Sequence, residues 1–276
     1  MPAKKVLLLN PPGERVYIRD YYCSKVSKSN YLFHPIDLLM LSGRLAERYE
    51  LYVIDAIADG IDINSCYGMI KAISPDVVIS LVGAVSLEED IPFLERLKND
   101  VTQIIVTGDI VLEDPDKWMK RHTFIDAVIM DFTSRDIIPY IEGRYETITS
   151  MVYRTVDSIR CTDYVRPKNE EFELPVPRHD LFKSNGYRFP FVRHKEFATV
   201  LTEYGCPFKC SFCIMSTLGS RYRNVENVIE EFKVLKKLGK KEIFIFDQTF
   251  GINKKRAIDL CRRMKEEEFN FGWVCY

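Results

Sequence analysis

Cys206-Pro-Phe-Lys-Cys210-Ser-Phe-Cys213, directly after Tyr204-Gly205, puts three thiols on eight residues. A loop this short turns three sulfurs toward one point, which suits a metal or a cluster and not a disulfide framework. Thiolates are soft ligands, at home on zinc or on an iron–sulfur cluster. A structural zinc site is closed by four ligands, usually as two spaced pairs. Here no Cys or His follows Cys213 until Cys261. A cluster with three protein ligands leaves one iron open, and Phe212 adds an apolar surface beside it. The strand-like run Glu196-Phe-Ala-Thr-Val-Leu-Thr202 leads into the loop, as it does where a site sits at the carboxyl end of a barrel strand.

The chain around this loop has 276 residues, room for about two domains. Apolar residues make up 46% and charged residues 29%, the balance of a globular protein. The net charge is −1 with no basic run, which argues against nucleic acid or an anionic membrane as partner. No window approaches the ~20 apolar residues of a membrane span, and the N-terminal Val-Leu-Leu-Leu reads as a buried strand rather than a signal peptide. The other cysteines (Cys23, Cys66, Cys161, Cys261, Cys275) are scattered, which fits a reducing cytoplasm.

From Lys4 to about Arg144, short apolar strands alternate with amphipathic helices. Strands are predicted at Lys5–Asn10, Leu51–Ile57, Asp76–Leu81, Gln103–Thr107 and Ile125–Met130. Helices are predicted near Ile36–Arg48, Ile63–Ile73, Leu87–Lys98, Pro115–Arg121 and Ser134–Ile141. Five such units argue for an α/β fold with a doubly wound parallel sheet, flavodoxin-like, in residues 1–145. Ligands on such sheets bind at the carboxyl ends of the strands. The polar and small residues there are Asn10, Ser80, Gly83, Ser86, Gly108 and Asp109, and both glycines allow close approach to the backbone. Neither G-x-G-x-x-G nor a P-loop follows the first strand, so a dinucleotide or nucleotide site is not indicated.

Residues 146–195 read as a β-hairpin and an extended, proline-bearing linker, with the acidic run around Glu170 a solvated face. Tyr187-Arg-Phe-Pro-Phe191 either lines a cleft or packs as an apolar strand. Residues 196–276 carry the cysteine loop, a helix at 225–238, a strand Glu242–Phe246, a helix at 254–267 and a third strand Phe271–Tyr276. His34, ahead of Pro35 at a helix start, reads as structural.

The run Cys206-x3-Cys210-x-Phe212-Cys213 resembles the signature of the radical S-adenosylmethionine (SAM) enzymes. The Asn10-Pro-Pro loop and the ten-residue stretch 21–30 that follows it, both ahead of the cysteine motif, make the chain similar to the cobalamin-binding branch of that family. The resemblance implies a 4Fe–4S cluster on Cys206, Cys210 and Cys213, with SAM chelated by the open iron and cleaved to a 5′-deoxyadenosyl radical. It places Phe212, Asp247 and Thr249 beside SAM, since Asp247-Gln-Thr stands where other members carry Gly-Gly-Glu. It implies cobalamin on the N-terminal loops, held without a histidine ligand because no D-x-H-x-x-G is present. It further implies a small-molecule substrate, an electron donor such as flavodoxin or ferredoxin, and an anaerobic setting. Methyl transfer to an unactivated carbon is the expected chemistry, with radical rearrangement or cyclisation as the alternative. The family's domain is a partial (β/α) barrel of which residues 196–276 are expected to supply only the first part. The resemblance thus implies a radical SAM enzyme, with a truncated, non-catalytic cobalamin- and cluster-binding piece as the alternative for the chain itself.

Overall fold

A computed structural model describes residues 3–29, 31–162 and 164–276. Its first sheet begins with strands β1 (Lys5–Asn10), β2 (Glu50–Asp55), β3 (Val77–Leu81), β4 (Gln103–Thr107) and β5 (Ala127–Ile129). These lie in the spatial order β2-β1-β3-β4-β5, all parallel. This is the flavodoxin-type order, whose winding reverses between β1 and β3. The helices are α1 (Ile36–Ala46), α2 (Ile63–Ile73), α3 (Leu87–Leu97) and α4 (Pro115–Arg121). Side chains alternate across a strand, and the strands use both faces. Val6 and Leu8 join α1 in one core, while Leu7 and Leu9 join α2 and α3 in another.

Several predicted boundaries coincide with the observed ones: β1, β4, α2 and α4. The strand expected over Leu51–Ile57 ends at Asp55 instead. Its carboxylate accepts from the Ala58 amide and starts a helical turn at Ala56–Asp59, a local cap that overrides the apolar run.

The hairpin β6 (Met151–Arg154) and β7 (Ile159–Cys161) is not a separate linker. It adds two antiparallel strands to the edge of the first sheet at β5. The acidic run also differs from expectation. Lys168–Phe172 forms β8, parallel to β11 (Ser220–Arg223), which pairs in turn with β10 (Glu203–Gly205). Glu170 and Glu171 remain exposed while their backbone is paired. Charged residues are depleted in strands, which is why composition hides this one.

Strands β9 (Phe197–Val200), β12 (Glu242–Ile245) and β13 (Gly272–Val274) form a second parallel sheet. Helices α5 (Val225–Lys237) and α6 (Lys254–Glu266) cover one face, burying Val228, Ile229, Phe232 and Leu235 against Ile243 and Ile245. The other face belongs to the α1-side core of the first sheet. Phe33 packs edge-on to Phe244 at 5.4 Å, Phe189 stacks on Phe244 at 4.1 Å, and Tyr21 stacks on Tyr204 at 5.3 Å. One apolar core thus spans both sheets. His34 is buried in it, its Nδ1 3.0 Å from Thr199 Oγ1. Tyr187 and Phe189 pack there and Phe191 is exposed, so this run is largely core.

Candidate functional site

β9 ends at Val200 and the chain bends through β10 into the cysteine loop. Two glycines make the bend. Gly205 holds φ +72° and an added Cβ would lie 2.0 Å from the Gly219 carbonyl oxygen, so only glycine passes there. The same carbonyl accepts from the Cys206 amide at 2.9 Å, closing the loop at its base. Within the loop the Cys213 amide donates to the Cys210 carbonyl at 3.1 Å.

Cys206 and Cys213 are half-buried against the core, whereas Cys210 is exposed. None of the eight cysteines is in a disulfide. Among the described residues no three His, Cys, Asp or Glu side chains close on a single metal ion. Zn–S bonds of about 2.3 Å require that closeness. The donor set is three soft thiols on one tethered loop, which fits a cluster spread over several metal atoms. Phe212 projects beside them, 91% exposed.

The turn after β12 reaches this loop. Thr249 Oγ1 lies 3.4 Å from Cys206 Sγ. Asp247 faces inward instead. It is fully buried and accepts from the Thr202 amide (2.7 Å), the Thr202 hydroxyl (2.5 Å) and the Glu203 amide (2.8 Å), tying the end of β12 to the end of β9. Burial pushes its carboxyl up to about 6. Burial and the neighbouring Asp247 push Glu203 up to about 7, against the pull of Arg256. Asp247 therefore shapes the turn that carries Thr249.

At the carboxyl ends of β1, β3 and β4 the structure brings the six sequence-predicted residues together but turns most of them inward. Asn10 donates to Asp55 Oδ1 at 2.8 Å and accepts from Arg19 at 2.9 Å. Ser80 is fully buried and donates to the Leu81 carbonyl. Ser86 is held between Arg19 Nε (3.0 Å) and Asp90 Oδ2 (2.7 Å). Gly108, at φ +137°, lies so close to the Val82 carbonyl that a Cβ would meet it at 2.0 Å. Beside Gly83 the space for a Cβ is taken by Ser24 and Ser86. Asp109, half-buried, accepts from the Ser24 amide (2.7 Å) and the Ala84 amide (3.0 Å). Val85 next to it is 45% exposed.

What fills the crevice is the stretch 17–26, a two-stranded ribbon (Tyr17–Ile18 with Lys25–Val26). Sequence reasoning singled out residues 21–30, whose last member, Asn30, lies outside the described residues, but assigned no role to the side chains. Arg19 is fully buried and paired with Asp90 at 2.6 Å. Asp20 is buried; burial raises its carboxyl to about 6, opposed by Lys25 at 3.3 Å. Tyr22 packs 6.0 Å from Phe246. Burial raises the Cys23 thiol, with Asp20 adding to it and Cys213 contributing as well. Residues 19–25 thus bridge the loops of the first sheet to the cysteine loop and the 247–249 turn. The Arg19–Asp90 pair spans 71 residues, so no local pattern in the sequence marks it.

A three-cysteine loop thus stands at the carboxyl end of a parallel strand and is faced by a flavodoxin-type sheet. Residues 200–275 match the Radical SAM superfamily, and the chain carries a radical SAM domain. It is 29% identical over 287 aligned residues to the uncharacterized methyltransferase PH0819 of Pyrococcus horikoshii, covering 99% of this chain and 60% of that protein. Its fold is similar to the cobalamin-dependent SAM radical enzyme OxsB, solved with aqua-cobalamin and SAM bound. That match has a TM-score of 0.70 at 17% identity, covering 99% of this chain and 38% of that one. It is similar also to the radical SAM methyltransferase TsrM of Kitasatospora setae, solved with cobalamin and a [4Fe-4S] cluster bound. Here the TM-score is 0.68 at 18% identity, covering 96% of this chain and 53% of that one. The chain thus spans between about a third and two thirds of the length of these proteins. Among the described residues no helix is long and apolar enough to cross a membrane.

Proposed function

We propose that the chain forms the cofactor-holding portion of a cobalamin-dependent radical SAM enzyme whose reaction is methyl transfer to a carbon of a small molecule. The observation that carries the reading is the tethered three-thiol loop within a radical SAM domain, packed against a flavodoxin-type sheet. Cys206, Cys210 and Cys213 would hold a 4Fe–4S cluster. When bound, the cluster supplies the electron that cleaves SAM, and cobalamin supplies a methyl carrier.

The chain's own residues orient and enclose. Thr249 reaches the cluster loop, and Asp247 fixes the turn that presents it. Phe212 offers an apolar wall to SAM. Because Asn10, Ser80 and Ser86 are committed inward and Gly108 is buried, the surface left for the corrin is the rim formed by Ala84, Val85 and Asp109. Tyr22 and Lys25 stand between that rim and the cysteine loop, which places them at the edge of a shared reaction space. Residues 1–161 then act as the cobalamin unit and 196–276 as the cluster unit, with an electron donor such as flavodoxin or ferredoxin outside.

The test is addition of SAM to the anaerobically reconstituted, reduced protein. A change in the cluster's paramagnetic resonance spectrum on adding SAM supports the reading, as does binding of hydroxocobalamin with no histidine-nitrogen coordination. A reconstituted cluster that is indifferent to SAM contradicts it.

A further inference from the structure

We infer that the cleft beyond the carboxyl end of β5 binds the phosphate group of a small phosphate ester. The cleft measures about 750 Å³, within the usual range for small-molecule sites. It shares no lining residue with the cluster loop or with the strand ends proposed for cobalamin.

Arg44 of α1, Arg135 and Arg221 of β11 all line it. Arg44 is only 8% exposed, and among the described residues it makes no hydrogen bond or ion pair. Burial first, and the Arg135 charge next, hold its guanidinium below the ordinary value. The side chain of Arg135, exposed at the mouth, also makes no hydrogen bond or ion pair among the described residues. Arg221 donates through Nη1 to Asp131 (3.2 Å) and Thr133 (3.0 Å), but its buried Nε has no partner.

A buried, unpaired charge is costly, and structures retain one where a counter-charge arrives from outside. The cleft's buried acids supply it only in part, through the attraction of Asp131 for Arg44. Asp131 accepts from Thr133 and Arg221, and Asp136 accepts from the Thr149 and Ser150 amides. The Ser134 hydroxyl, also at the cleft, lies 2.6 Å from Ser150 Oγ, which is itself 2.7 Å from Asp136 Oδ2.

Two unpaired guanidiniums call for about two negative charges. A phosphate monoester supplies −1.5 to −2 and three acceptor oxygens, whereas a carboxylate supplies one charge and two. Guanidinium forks match phosphate oxygens in pairs. Glu170, Glu171 and Glu173 line the cleft and are exposed. They weaken the field that the arginines set up, so a ligand with a second anionic group is disfavoured further.

The experiment titrates glycerol 3-phosphate into the full 276-residue chain at constant ionic strength, followed by calorimetry. Saturable binding of one molecule per chain is expected, weakened about tenfold or more in Arg44→Gln and in Arg135→Gln, and unchanged in Lys117→Gln. Arg135 is exposed, so that variant remains informative should Arg44→Gln fail to fold. Hydroxocobalamin serves as the second arm. If it displaces the ester, the phosphate belongs to the cofactor's nucleotide; if both bind together, it belongs to a separate metabolite. Absence of saturable binding, or binding that both arginine variants leave intact, overturns the inference. The inference does not depend on the cobalamin reading.

Discussion

At the scale of single residues, Asp247 shows what the sequence conceals. Its place after β12 is legible, but a carboxylate beside a cysteine loop reads as a ligand contact until its partners are seen. All of them, Thr202 and Glu203, lie some 45 residues away. Its carboxyl is raised to about 6 by burial, above the ordinary value near 4. The folded state therefore holds that proton more tightly than the unfolded chain. Its contribution is fully present below about pH 4 and is lost as pH rises through 6. At about 1.4 kcal/mol per pKa unit the loss is at most ~3 kcal/mol. Glu203, raised to about 7, extends the same fall upward. Urea midpoints measured from pH 4.5 to 8 are expected to decline across this window in the wild type. In Asp247→Asn the decline should be shallower; an equal slope in both proteins would remove Asp247 from the account.

Among elements, the ribbon 17–26 decides how the first sheet meets the second. Hydrophobic periodicity identified β1, β4 and α2 because each has a continuous apolar face. The ribbon has none; it is held by Arg19 against Asp90, Ser86 and the carbonyls of Pro11 and Pro12. Removing one partner of a buried pair strands the other charge, so Asp90→Ala is expected to cost about 3–5 kcal/mol. Limited proteolysis should then cut within 13–29, which stays protected in the wild type. Gly108, which precedes Asp109 of the rim, tests the backbone next to the ribbon. Alanine there faces both positive φ and the Val82 carbonyl, so Gly108→Ala should cost roughly 3 kcal/mol or more. Gly143→Ala, where a Cβ meets only open space, should cost less in the same denaturation experiment.

Across the whole molecule, the two sheets share one core, and this alters where the chain divides. Composition changes near residue 145, where the apolar βα alternation gives way to proline and charge. Yet β6 and β7 complete the first sheet beyond that point. A fragment ending at 145 would leave β5 as an open edge, a hazard for aggregation. A fragment ending at 161 keeps the hairpin and should remain the more soluble of the two by sedimentation; equal behaviour would mean that the hairpin is dispensable. The doubly wound parallel sheet and the cysteine loop were legible, since one follows from repeated βα units and the other from three thiols at fixed spacing. The packing of the two sheets was not, because Phe33, Phe189 and Phe244 are ordinary core residues until the fold brings them together. The central claim is that Cys206, Cys210 and Cys213 hold an iron–sulfur cluster. Anaerobic reconstitution followed by iron and sulfide analysis tests it most directly. One 4Fe–4S cluster per chain is predicted, lost in Cys210→Ala and retained in Cys261→Ala, whereas stoichiometric zinc with no iron charge-transfer absorbance would contradict it.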